Sequence, residues 1–182
     1  LIRHLTTLIP RSCMKTIAEG LFNSTLRYGI CLFLRPCPNI TDPASNALTS
    51  IQTIQNDMVR SVAGVFRRDK MNMANLRDSL GFLSVNQLLC QTIITEAQKI
   101  INYNTVPTIK NTLIDTGSSS IVTRSRTVSA VRQPLVRCRK TEGFSTYAAK
   151  LLNALPEKIR KMDTSKPAFK TELQRWIKTY IN

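Results

Sequence analysis

Histidine and paired cysteines are the first things this chain of 182 residues lacks. His4 is the only histidine, and none of the five cysteines forms a CxxC pair, so the spacing of a zinc finger or zinc knuckle is missing. An odd cysteine count also argues against a closed disulfide framework and favours reduced thiols in an intracellular setting, nucleus or cytoplasm. We therefore expect neither a metal site nor any other cofactor in this chain.

Long apolar runs are also missing. The most apolar stretch, "YGICLFL", lies between Arg27 and Arg35 and is far shorter than the roughly 18 residues that a membrane helix needs. The first residues do not follow the pattern of a signal peptide. We therefore expect no membrane partner.

Acidic residues are scarce as well. Lys and Arg number 26 against 11 Asp and Glu, which gives a formal net charge of +15. The segment from Thr116 to Asn182 carries 14 basic and 4 acidic residues, and no acid lies between Thr116 and Thr141. Such an excess indicates a polyanionic partner, RNA and/or DNA by default, rather than a small-molecule substrate.

Apolar residues recur at helical spacing through most of the chain. Gly29, Gly64 and Gly81 are expected near the ends of the first three segments, and Ser84 with Gln87 forms a capping box before the fourth. These four predicted helices are Met14–Leu26, Leu48–Val62, Asn75–Leu80 and the segment that follows Ser84 as far as Ile101.

Two segments do not follow the helical pattern. "RPCPNITDP" has three prolines in nine residues and is predicted to be a loop. Beyond Asn102 the chain contains "GSSS" and then an alternation rich in Val, Thr and Arg, which predicts an extended connector. The expected fold is mainly α: two small helical lobes, residues 1–103 and 142–182, joined by an extended basic connector, residues 104–141.

The C-terminal lobe is predicted to contain two main helices. Pro156 ends the first helix and is allowed as the first residue of the next turn. Thr164 or Ser165 is expected to cap the last helix. Its apolar side includes Phe169, Leu173 and Trp176, and Phe144 and Tyr147 are likewise expected in the core. Tyr28 and Tyr180 remain candidates for stacking on bases.

The candidate nucleic-acid contacts are basic residues in two groups. Each group has two possible interpretations. It contacts backbone phosphates, or it is simply a solvated linker (the first group) or a solvated helix end (the second). The first group is Arg124, Arg126, Arg132, Arg137, Arg139 and Lys140, and the second, around Pro156, is Lys158, Arg160, Lys161 and Lys166.

The run "GFSTYAAKLLNALPEKIRKMDTSKPAFKTELQRWI" resembles the closing segment of non-LTR (LINE-like) retrotransposon reverse transcriptases. The matching positions form three short blocks, and Leu152 departs from the Trp that the family usually has there. Trp176 belongs to the terminal helix that completes the pattern. The blocks are Asn153, Leu155 and Pro156 for Asn-x-Leu-Pro, Ile159 and Arg160 for Ile-Arg, and Phe169 and Lys170 for Phe-Lys.

Two upstream segments are similar to the same family and occur in the same order. "LFNSTLRYG", residues 21–29, resembles a helix of the thumb region that follows the polymerase palm. "LTSIQTIQNDMVRSVAG", residues 48–64, is similar to a later helix, with Gln55, Asn56 and Arg60 at matching positions. We interpret Gln55 and Asn56 as makers of hydrogen bonds at the helix surface.

The resemblance implies that the parent protein is an RNA-directed DNA polymerase whose palm holds divalent metal ions on a Tyr-x-Asp-Asp box. No adjacent Asp-Asp pair occurs in this chain, so it is not expected to be an enzyme as it stands. Its implied partners are the missing palm and fingers and the template RNA or primer duplex. Asp57, Asp69 and Asp78 are interpreted as surface partners of nearby arginines.

The first residue is Leu1 rather than Met, which leads us to expect a fragment of a longer protein. Two alternatives remain open. One is a stand-alone basic helical module that docks on an acidic protein, and the other is an inactive relic of a retrotransposon.

Overall fold

The computed structural model describes residues 8–33, 46–114, 131 and 143–181. Its helices confirm the predicted mainly α fold, and none of these residues lies in a strand. A π-helical turn, Glu19–Asn23, lies between the first two helices. The helices are α1 (Arg11–Ala18), α2 (Ser24–Phe33), α3 (Asn46–Ala63), α4 (Met73–Leu80), α5 (Val85–Tyr103), α6 (Pro107–Leu113), α7 (Phe144–Ala154), α8 (Glu157–Arg160) and α9 (Pro167–Tyr180).

The chain divides into two compact units. The first comprises the residues up to Leu89 together with Ile181, and the second comprises Cys90–Tyr180. The division therefore falls inside α5, a helix that the sequence assigned wholly to the first lobe. The predicted lobes 1–103 and 142–182 stay a prediction.

The core of the first unit is built by α1, α3 and the residues around α4. Each helix contributes apolar side chains at the spacing of one helical face, which is why the sequence pattern located it. Phe22 and Leu76 are partly buried against this core. Its buried members are Met14, Ala18, Met58, Val59, Val62 and Phe82.

The first helical segment runs further than expected. The sequence predicted an end near Gly29, but α2 continues through Gly29 to Phe33, so that prediction is wrong. A glycine inside a helix costs only about 1 kcal/mol, which helical residues on either side of it can offset. The π-helical turn Glu19–Asn23 was not predicted, and it places the polar residue Asn23 in a buried position.

Two glutamines of α3 connect this helix to the turn before α5. Gln55 is fully buried, and its Nε2 donates to the carbonyl oxygen of Leu83 at 2.9 Å. The Oε1 of Gln52 accepts from the backbone N–H of Val85 at 2.9 Å. Gln55 therefore donates to a buried backbone carbonyl and does not make its hydrogen bond at the helix surface. The interpretation of Gln55 as a surface residue is wrong.

The ends of α4 and the start of α5 follow the local rules of helix capping. The side chain of Asn72 accepts from the N–H of Ala74 at 2.9 Å, and Gly81 closes the helix with φ +74°. At the start of α5, the N–H of Ser84 donates to Gln87 Oε1 at 2.9 Å, and the N–H of Gln87 donates to Ser84 Oγ at 3.2 Å. The predicted capping box is confirmed.

The second unit contains a helix that the sequence analysis placed in extended chain. Residues 104–141 were predicted to be extended, and this is wrong for Pro107–Leu113, which forms α6. Pro107 occupies the first turn of α6, where its missing N–H costs nothing and its fixed φ favours the helix. Leu113 is fully buried, so the helix is held by tertiary packing.

Helices α7, α8 and α9 form as the C-terminal pattern predicted. Leu152, which stands where the resembled family has Trp, is 1% exposed, so the smaller side chain still lies in the core. The last helix begins at Pro167, and neither Thr164 nor Ser165 directly precedes it. The predicted cap is therefore wrong, because the chain enters α9 through the preferred first-turn proline.

Several predictions fall on residues outside the described ranges. They include the loop "RPCPNITDP", the rest of the extended connector, and the basic residues Arg124, Arg126, Arg132, Arg137, Arg139 and Lys140. Cys13, Cys31 and Cys90, the cysteines within the described ranges, are thiols.

Candidate nucleic-acid interface

Asn153, near the end of α7, binds the backbone of a residue from the acid-free segment. Its Oδ1 accepts from the N–H of Val131 at 2.8 Å, and its Nδ2 donates to the carbonyl oxygen of Val131 at 2.9 Å. An amide side chain can pair with a peptide in this way because it carries one acceptor and one donor side by side. The segment between Thr116 and Thr141 is thus attached to the C-terminal lobe at Val131.

Pro156 fixes the turn that follows α7. With φ −55° and ψ 140° it leaves the helical region, and its carbonyl oxygen accepts from the N–H groups of Ile159 and Arg160, both at 3.0 Å. Leu155 and Ile159 are 2% and 5% exposed, so both sides of the turn are held in the core. Lys158, which lies between them, is exposed.

Arg160 has a structural role that the sequence analysis missed. One of its guanidinium nitrogens donates to the carbonyl oxygens of Leu155 at 3.0 Å and Asn153 at 3.4 Å. Carbonyls at the end of a helix have no partner within the helix, and a nearby arginine commonly satisfies them. The position of Arg160 just beyond the end of α7 was the signal for this role. Its contact with nucleic acid stays a prediction.

Three lysines lie at the surface of the turn and its continuation. Lys158, Lys161 and Lys166 are all exposed. Lys161 pairs with Glu157 at 2.7 Å, and this hydrogen bond lowers the pKa of the glutamate below its usual value. Because both side chains are more than 60% exposed, the pair contributes little to stability and can exchange for a phosphate contact.

A small hydrogen-bonded cluster holds the chain between α8 and α9. Tyr103 OH donates to Asp163 Oδ1 at 3.1 Å and lies 2.8 Å from Ser165 Oγ. The backbone N–H of Ser165 also bonds to this carboxylate and, more than any other contact, lowers the pKa of Asp163. An adjoining cavity of about 360 Å³ is lined by Asn102, Tyr103, Arg160, Lys161, Met162 and Asp163.

The aromatic residues separate into core and surface. Tyr147 is buried, as predicted, but Phe144 and Trp176 are only partly buried, so the core prediction is wrong for these two. Trp176 stacks on Tyr180, one helical turn away, with ring centroids 4.6 Å apart and planes 14° apart. Trp176 is only partly buried and Tyr180 is 43% exposed, although both positions share the helical face of Phe169 and Leu173.

The structure thus brings together only part of the predicted site. Asn153, Pro156 and the basic residues Lys158, Arg160 and Lys161 lie within one short segment. Phe169 is 2% exposed, so this motif position belongs to the core. Tyr28, the other stacking candidate, is 96% exposed in the first unit.

Substituting Asn153 with alanine should remove both hydrogen bonds to Val131. At roughly 0.5–1.5 kcal/mol for each bond, we expect the free energy of unfolding to fall by about 1–3 kcal/mol. Trypsin should also cleave faster after Arg126 and Arg132, which flank Val131 in sequence.

The control for this variant is Asn102→Ala, because Asn102 is an exposed asparagine of α5. It should leave both the urea midpoint and the cleavage rate nearly unchanged. Equal behaviour of the two variants would show that Asn153 does not hold the segment.

Comparison of the chain with protein-family models, curated proteins and solved structures finds no match. The resemblance to LINE-like reverse transcriptases therefore stays a prediction from the motifs. Over the described ranges, no group of three or more His, Cys, Asp and Glu residues is arranged to hold a metal ion. No helix within those ranges is long and apolar enough to cross a membrane.

Proposed function

We propose that this chain binds nucleic acid through backbone phosphates, as the C-terminal part of a LINE-like RNA-directed DNA polymerase. The observation that carries the proposal is the pair of hydrogen bonds between Asn153 and Val131. They attach the acid-free segment to the same short region that exposes Lys158, Lys161 and Lys166. Val131, a residue of the acid-free segment, is therefore bound to the helix that leads into the basic turn.

Phosphate binding of this kind depends on the positions of positively charged side chains more than on the shape of a pocket. Each phosphate that a lysine or arginine neutralises releases condensed counterions, and this release favours binding whatever the base sequence. Leu155 and Ile159, buried on either side of Lys158, limit the movement of its backbone. Lys158, Lys161 and Lys166 are exposed, so a phosphate in solution can reach them.

The motif positions support the same proposal because their contacts hold the turn in place. Asn153 binds Val131, Pro156 ends the helix, and Arg160 satisfies the carbonyls left open at that end. In the intact parent protein, this turn would hold template RNA or primer duplex. The palm of the parent would supply the divalent metal ions and the chemistry.

The proposal is tested by removing two lysines of the turn. The double variant Lys158→Gln with Lys166→Gln should weaken binding to an RNA–DNA duplex regardless of sequence. If each lysine contacts one phosphate, the slope of log K against log salt should become shallower by about two. Fluorescence anisotropy over a salt series measures both the affinity and the slope.

The matched control is the double variant Lys15→Gln with Lys110→Gln, which lowers the net charge by the same amount. Lys15 lies beside Phe82 in the first unit, and Lys110 lies on α6. The control should retain most of the wild-type slope. Equal losses in the two variants would mean that only the overall charge matters, and would contradict a phosphate site at the turn.

A further inference from the structure

A second basic surface lies in the first unit, just beyond the end of α3. We call residues 64–70 the arginine loop. Gly64 ends α3 with φ +72°, and the N–H of Val65 donates to the carbonyl oxygen of Arg60 at 3.0 Å. The N–H of Phe66 donates to Asp69 Oδ2 at 2.8 Å, and the N–H of Asp69 donates to the carbonyl oxygen of Phe66 at 3.1 Å. These bonds define the loop's backbone from both ends.

The arginine loop exposes an aromatic ring. Phe66 is 52% exposed, although burying a phenylalanine is ordinarily favourable. The guanidinium carbon of Arg68 lies 5.0 Å from the centre of the ring, within the range of a cation–π contact. A ring held in this way by a charged group is a surface on which a planar base can stack.

Asp57 orients two further arginines beside this ring. Its Oδ1 accepts from Arg67 Nε at 2.9 Å, its Oδ2 accepts from a terminal nitrogen of Arg67, and Arg60 approaches Oδ1 at 3.3 Å. The bonds from Arg67 are the main reason that the pKa of Asp57 is lowered, so the carboxylate stays charged at neutral pH. The Arg67 side chain is still 74% exposed.

Phe66, Asp57 and the two arginines paired with Asp57 line a cavity of about 420 Å³, within the size range of small-ligand sites. The charged residues that line the cavity are Arg60, Arg67 and Asp57, a net charge of +1. A negatively charged ligand is therefore favoured. The cavity is lined by Asp57, Arg60, Ser61, Gly64, Val65, Phe66 and Arg67.

We infer that the arginine loop binds one nucleotide of a single-stranded nucleic acid, with the base stacked on Phe66 and a phosphate held by Arg67 and Arg68. This inference rests on the proposed function and adds a preference for unpaired bases. A paired duplex cannot offer a base face to Phe66, because its bases are stacked on one another.

The inference is tested with a single-stranded RNA oligonucleotide and an RNA–DNA duplex of the same length, at the same salt concentration. Phe66→Ala should weaken binding of the single strand by roughly 5- to 100-fold, the usual effect of losing one base-stacking contact. It should leave binding of the duplex within about twofold. Phe66→Tyr should restore most of the loss, whereas Phe66→Leu, which keeps apolar bulk without an aromatic face, should not.

Ile54→Ala is the matched control, because Ile54 is a 57% exposed apolar residue of α3 in the same unit. It should change neither affinity. If the wild-type chain binds both nucleic acids but Phe66→Ala behaves like Ile54→Ala, the stacking site is refuted and the proposed function survives. If the wild-type chain binds neither nucleic acid, both are refuted.

Discussion

Replacing Phe169 with alanine should lower the free energy of unfolding of the second unit by about 3–5 kcal/mol. Phe169 is 2% exposed in α9, with Leu173 and Ile177 fully buried on the same side of the helix. Removing the ring loses its transfer free energy and leaves a cavity that rigid helices fill only partly. A domain of this size has a total stability of roughly 5–15 kcal/mol, so the variant should be close to unfolding.

The control for Phe169 is its neighbour Lys170, which belongs to the same Phe-Lys block but is exposed. Lys170→Ala should change stability by less than about 0.5 kcal/mol. If the alanine variant of Phe169 cannot be purified folded, Phe169→Leu keeps most of the volume and should cost less than about 1.5 kcal/mol.

Urea unfolding followed by tryptophan fluorescence measures these differences. Trp176 is the only tryptophan in the chain, and it lies on the same helix as Phe169, partly buried and stacked on Tyr180. Its emission therefore reports the second unit directly. A loss below about 1 kcal/mol for Phe169→Ala would contradict a core role for this motif position.

The parts of the fold that the sequence predicted are those set by local rules. The apolar spacing of α3 and α5 depends only on the helical period, and the Ser84 and Gln87 capping box spans three residues. Gly81 and Pro156 end their helices through their own backbone preferences. None of these features requires knowledge of a distant partner.

The parts that the sequence did not predict depend on tertiary partners. From the sequence alone, Gln55 is interpreted as a surface residue, because its bond to Leu83 joins residues that are far apart in the chain. Arg160 is interpreted as a phosphate-binding cation, because its bonds to the carbonyls at the end of α7 form only in the folded turn. The apolar spacing within α6 is too weak to predict a helix, and the helix is stabilised by the burial of Leu113. The sequence predicts Trp176 in the core because it is large, apolar and on the helical face of Phe169, yet it is only partly buried.

The sequence indicated which basic residues belong to the candidate site, but it did not indicate the contacts that they or their neighbours make. The charge excess and the Asn-x-Leu-Pro block located the basic turn, and exposure of Lys158 and Lys161 agrees with that location. The partner of Asn153 could not be predicted, because Val131 is a common residue 22 positions away in sequence. The pairing of Asp57 with nearby arginines was predicted, and its contacts with Arg60 and Arg67 confirm it. The exposed ring of Phe66 was missed, because "FRR" does not show that this side chain stays outside the core.

The affinity of the chain for an RNA–DNA duplex should fall steeply with salt. A protein that contacts 6–10 phosphates loses roughly 10³- to 10⁵-fold in affinity between about 50 and 200 mM salt. The net charge of +15 makes contacts of this number attainable. This is the largest effect that we predict, and it does not depend on base sequence.

The most direct test of the proposed function is therefore fluorescence anisotropy of the wild-type chain with a labelled RNA–DNA duplex over this salt range. We expect a straight line of log K against log salt, with a slope of about −5 if six phosphates are contacted. Two duplexes of unrelated sequence should give the same line. Binding that is equally tight at low and moderate salt, or no binding at all, would contradict phosphate recognition by this chain.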